Sequence, residues 1–139
     1  MSISGELFDL IAEKPVLAED FDAAALFVLD TLASAIGGTS TEQGRILLRW
    51  AGQADTGAPA SRDCGRRALL IGALSHILEM DDLHRASVVH PGCAVVPAAW
   101  ALAERHESGG AALLKSVLWG YEAATRIGVA VGPEHDRVF

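Results

Sequence analysis

Apolar residues recur along this chain at three- and four-residue intervals in six blocks, separated by short polar or glycine-rich stretches. That is the spacing of helices that bury one face. A short first helix is predicted over roughly residues 5–12, with Leu7, Ile11 and either Phe8 or Leu10 on one side, and Pro15 bars its extension. A long second helix, capped by Asp20 or Asp22, carries Phe21, Ala24, Ala25, Val28, Leu29, Leu32, Ala33 and Ile36 and stops at Gly37-Gly38. A third begins at Ser40 or Thr41, carries Ile46, Leu47, Trp50 and Ala51, and runs out in the loop QADTGAPASRD. The fourth starts between Arg62 and Gly65 and includes ALLIGALSHILEM, which is apolar nearly all round and so belongs in the middle of a bundle. The fifth enters at Pro91 or Pro97 and continues through Glu104; the sixth, capped by Ser108, extends to the stop at Gly132-Pro133. No stretch alternates as a strand does, so the expected fold class is all-α, a bundle of about six helices in a single domain over residues 1–139.

Between the fourth and fifth blocks lies HILEMDDLHRASVVHP, the densest group of titratable side chains in the chain. On a helix continuing from His76, Glu79 and Leu83 would share its face, with Asp81 and Asp82 on the flanks. Three acids within four residues repel one another, and burial adds to the effect, so at least one carboxyl should keep its proton to higher pH than a free side chain. His84 and His90 titrate close to neutrality and suit proton transfer. Pro91 holds His90 out of the helical region, so its ring projects from an extended turn. Structural roles compete: the aspartates can cap the following helix, and His76, inside an apolar block, reads as a hydrogen-bonded core histidine. Asp81, Asp82, His84 and His90 match no closed zinc spacing, so no metal and no cofactor are expected. Trp50, Trp100 and Trp119 read as core residues, Glu122 and Arg126 as a surface pair, and His106 and His135 as surface residues.

Composition narrows the function. Half the residues are hydrophobic, the mean hydropathy is +0.28, the net charge is −7 and the pI is near 5.1. An acidic surface argues against nucleic acid as a partner. Charged residues interrupt the apolar runs before the roughly 18 residues of a membrane span. The N-terminus lacks the basic region of a signal peptide, so a cytoplasmic protein with no membrane partner is expected. Cys64 and Cys93 are too few and too far apart for a thiolate-held cluster, and read as small buried hydrophobes.

The segments SHILEMDDLHRASVVHPGCAVVPAAWALAE and LLKSVLWGYEAATRIGVAVGP, with the earlier LDTLASAIGG, resemble the N-terminal helical domain of the MmgE/PrpD family. That family includes 2-methylcitrate dehydratase, cis-aconitate decarboxylase and iminodisuccinate epimerase. The resemblance implies a homodimeric, largely cofactor-free enzyme with its site between a helical domain and an α+β lid. It also implies small di- or tricarboxylate substrates and proton removal next to a carboxylate. Site residues carried over are His90 as acid/base, Asp81 and Asp82 for positioning or proton transfer, His84 beside them, and Glu79 toward substrate. Arg85, as the local cation, joins Glu79 in substrate binding. Two positions depart from the family's LDFDDTH: Glu79 stands for an aspartate and Leu83 for a threonine, which counts against the decarboxylase branch. Lys14 and Lys115 lie far from the motif in sequence, and the lid with its cationic residues is not among these 139. The expectation is a truncated partial domain, inactive alone; the alternative is a self-standing, homo-oligomeric interaction protein.

Overall fold

A computed structural model describes residues 2–53 and 63–132. They form six helices: α1 (Ile3–Ala12), α2 (Ala18–Gly38), α3 (Glu42–Gln53), α4 (Cys64–His76), α5 (Gly92–Arg105) and α6 (Gly110–Val131). Among the described residues there is no strand, only an isolated bridge between His84 and Val89. The fold is all-α, as the periodicity predicts. Most of the loop QADTGAPASRD lies outside the described residues, as do Pro133 and His135.

Caps explain most of the boundaries. Ser2 Oγ accepts from Gly5 N and starts α1 two residues earlier than its apolar pattern suggests. Asp20 is not the cap of α2; its carboxylate reaches back to the Leu17 backbone N–H at 2.8 Å, and the helix starts at Ala18. Thr41 Oγ1 accepts from Gly44 N before α3, and Asp63 accepts from Arg66 N at the start of α4. The expected Ser108 cap is not used: Gly109 occupies that position, with no side-chain bond.

The core is shared by α2, α5 and α6, where Ala24, Val96, Ala99, Val117 and Tyr121 are buried together and Phe27 and Leu118 pack around them. Phe27 stacks on Tyr121 with ring centroids 4.3 Å apart. Helix α4 lies against α2 and α5, with α3 on its far side, while α1 docks on α6. By length and composition α2 could cross a membrane, its best window averaging 1.4 in hydropathy, although Asp30 interrupts its apolar run. Here it packs against α4, α5 and α6. The tryptophans depart from the core reading: Trp50 is 40% exposed, with the Arg66 guanidinium 4.4 Å above its ring, and Trp100 and Trp119 are half-buried. Glu122 does pair with Arg126, and it also holds Lys14.

Helices α2 and α4 approach backbone to backbone at Gly38, where an added Cβ would lie 2.1 Å from the Leu74 carbonyl oxygen. Neither backbone can yield without separating the helices. Gly38→Ala is therefore expected to lower unfolding free energy by about 2–3 kcal/mol, read as a lower urea midpoint at unchanged slope. A midpoint equal to that of the parent chain would refute the close approach.

Candidate functional site

The titratable segment is not helical. Helix α4 ends at His76, five residues before Asp81, and residues 77–91 form an irregular connection to α5. The expected stripe of His76, Glu79 and Leu83 on one helix face therefore does not exist. Instead the chain turns back on itself, with Glu79 (φ 49°) and Val88 (φ 51°) both in the left-handed region. For a β-branched residue such as Val88 that conformation costs free energy, which the surrounding contacts must offset. The contacts are visible: His84 N donates to Val89 O at 2.9 Å, closing a tight loop, and Ser87 is fully buried at its tip. Ser87 lies against α6 at Gly128, where a Cβ would meet Ser87 Cβ at 2.5 Å.

This loop brings His76, Asp81 and His90 together. The Asp81 side chain is fully buried, and His76 Nδ1 lies 3.1 Å from both of its carboxylate oxygens. With a carboxylate as acceptor, that nitrogen carries the proton. His90 Nδ1 is 3.6 Å from Asp81 Oδ1, and the two imidazole rings meet edge to face with centroids 5.0 Å apart. The rings keep an open side, the His76 and His90 side chains being 46% and 30% exposed. His90 Nδ1 itself is buried and has no hydrogen-bond partner.

Asp82 does different work. Its Oδ1 accepts from the Gly92 N–H at 2.9 Å, at the positive end of α5, and so ties the loop to that helix. At Gly92 a Cβ would come within 2.3 Å of Asp82 Oδ1, 2.8 Å of Thr31 Oγ1 and 3.0 Å of the Tyr121 hydroxyl, so only glycine leaves room for the three oxygens. Burial raises the Asp82 carboxyl above its ordinary value; the facing Tyr121 hydroxyl and the Gly92 N–H oppose the shift, and the charges of Asp30 and Asp81 add to it. One acid of the group is thus held toward its neutral form, as expected, although burial outweighs mutual repulsion as the cause. Tyr121 is shifted up as well, by burial and then by Asp82.

The remaining candidates separate from the cluster. His84 turns the other way: its Nδ1 is 2.7 Å from Ser87 Oγ, and its ring lines a cavity of about 770 Å³ between α1 and α6, with Ile3, Leu7 and Val129. Glu79 and Arg85 are exposed. His84 is therefore not grouped with His90, because the reversal inside residues 84–89 turns its ring toward Ser87 and the α1–α6 cavity. His76 is the residue the sequence reading placed wrongly: it belongs to the group and is no core histidine. Its place five residues before Asp81, next to the polar segment, was the available signal.

Cys93 lies just behind. Its thiol donates to the His90 carbonyl at 3.2 Å, and burial, with Asp81 beside it, pushes its pKa up to about 11. Little thiolate forms at pH 8, so iodoacetamide is expected to label Cys93 at least about tenfold more slowly than a free cysteine. Peptide mapping of the alkylated protein reads that rate, and fast labelling would contradict the burial.

The arrangement defines a class of protein: an all-helical domain that presents an imidazole–carboxylate cluster at the junction of two packed helices. Residues 12–139 match the profile of the MmgE/PrpD N-terminal domain, and the chain belongs to that family. It is thereby a relative of MmgE/PrpD-type dehydratases and isomerases. No match was found among curated proteins or among solved structures.

Proposed function

We propose that this domain supplies the acid–base wall of an enzyme that removes a proton from the carbon next to a carboxylate in a small di- or tricarboxylic acid. Dehydration of a 2-methylcitrate-like acid is the favoured outcome, with isomerisation next. The observation that carries this reading is the buried Asp81 carboxylate between His76 and His90. A buried carboxylate beside an imidazole orients the ring and stabilises its charged form, as general acid–base catalysis requires. His90 turns Nδ1 toward Asp81, which leaves Nε2 to exchange protons with a bound acid.

A polycarboxylate also needs fixed cations, and Lys14 is engaged with Glu122 while Lys115 lies over the Trp119 ring. In this reading the cations come from outside the bundle, so the 139-residue chain binds acids weakly and turns them over slowly. The working form is a homodimer, a reading supported by Leu26, Leu29 and Ile36, which are exposed along α2. Light scattering reads that assembly.

The test is a histidine-ring NMR titration with cis-aconitate and 2-methylcitrate. Millimolar acid is expected to shift the His76 and His90 resonances and leave those of His84 and His106 in place, as for a weak site worth about 4 kcal/mol. Equal shifts at all four histidines, or none at any, would remove the reading and favour a non-catalytic interaction protein.

A further inference from the structure

We propose that His76, Asp81 and His90 form a binding site for one divalent transition-metal ion of zinc's chemical class, held by one Asp81 oxygen and the two Nδ1 nitrogens, that of His76 moving its proton to Nε2 as the ion enters. The argument begins with the His90 Nδ1 atom, which is buried and without a hydrogen-bond partner. A buried nitrogen in that condition needs an explanation. If Nδ1 is unprotonated, its lone pair faces the lone pairs of Asp81 Oδ1 at 3.6 Å, an arrangement that repels. A cation placed between them turns that repulsion into two bonds.

The spacing suits such an ion. Tetrahedral zinc, with bonds of about 2.0–2.2 Å to nitrogen and oxygen, sets neighbouring ligand atoms about 3.3 Å apart. Asp81 Oδ1 lies 3.1 Å from His76 Nδ1 and 3.6 Å from His90 Nδ1, and one potential ligand atom from each of the three residues falls within 4.8 Å of the others. The part-exposed rings have room to turn and close on an ion. Two imidazoles with one carboxylate favour zinc, cobalt or nickel over magnesium and calcium, which want oxygen ligands throughout. Charge agrees: Asp82 stands within electrostatic reach of Asp81 and adds to the negative potential there. The scaffold is firm, since His76 closes α4, His90 precedes α5 by two residues, and the two helices pack together.

This inference does not rest on the acid–base reading. A bound ion on Nδ1 keeps the imidazole proton fixed on Nε2 of His90, so Nε2 no longer accepts a proton and metal would suppress that chemistry. A binding measurement without substrate therefore stands or falls separately.

The test is titration of the chelator-washed full chain with zinc chloride by calorimetry and with cobalt chloride by visible absorption. One ion per chain is expected, with His76→Gln and His90→Gln each weakening binding at least about tenfold and His84→Gln, His106→Gln and His135→Gln each changing it less than about twofold. The cobalt spectrum of the unmodified chain should show visible ligand-field bands without a near-ultraviolet thiolate band, which decides the matter even if a variant fails to fold. Four results would overturn the proposal. They are no saturable binding, one ion shared by two chains, a thiolate band from Cys93 or Cys64, or His90→Gln binding as the parent does.

Discussion

Replacing His90 by glutamine is expected to slow hydrogen–deuterium exchange at the carbon next to a substrate carboxylate by about 10²- to 10⁴-fold, the usual share of a positioned acid or base. The same change at His84 is expected to leave the rate within about threefold, since a residue without a part in proton transfer contributes little to the barrier. Glutamine keeps a polar group of similar reach but has no proton to exchange near neutral pH. The contrast has force because both histidines stand in one short motif and only one faces Asp81. The rate is followed by NMR in deuterium oxide with any acid that gives measurable exchange on the parent protein. Equal losses at the two positions would mean that the loop at residues 84–89 does not separate them. No loss at His90 would end its assignment as acid or base. His76→Gln separates positioning from transfer: a fall in rate that shifts the pH profile fits a ring acting through Asp81, whereas a loss uniform across pH does not.

Asp82→Ala is expected to destabilise the fold by about 2–4 kcal/mol, because it strips a charge-assisted bond from the Gly92 N–H and leaves a buried donor unpaired. It also removes the group that faces the Tyr121 hydroxyl and opens a void beside Thr31 and Gly92. Urea unfolding reads the loss. Asp82→Asn keeps an oxygen acceptor and should recover most of it, while changing the pH dependence. The sign follows from the direction of the shift. The carboxyl's pKa is raised in the folded state, so the folded chain binds this proton more readily than the unfolded one. The cost of ionising a half-buried acid is absent below the unfolded value of about 3.9 and fully present above the folded value. Stability owed to this position therefore falls as pH climbs through that window. The asparagine variant lacks that part of the slope. If the alanine variant unfolds at the parent's urea midpoint, Asp82 does not tie the loop to α5.

The two experiments address different halves of one motif. Asp81 points to the imidazoles and Asp82 to the start of α5, although the residues are adjacent. One carboxylate thus serves the exposed cluster and the other the framework. Thr31 and Tyr121 enter through the framework alone. They come from α2 and α6, and nothing local in their sequence marks them as neighbours of the aspartates.

The sequence by itself determined the helices, because a buried face imposes a three-to-four residue period that survives in any tertiary setting. It also concentrated the titratable side chains in residues 76–90 and pointed to the family, since both depend on the order of residues alone. The tertiary structure decided which of those residues meet. Ile77 to Met80 suit a helix as well as a loop, and it is the His76–Asp81 pairing and Leu78 reaching Gly37 that accompany the end of α4 at His76. An irregular segment has no period from which to read direction. The burial of Ser87 against Gly128 and the bond from Gly92 N to Asp82 bring His90 and His76 to one side and His84 to the other.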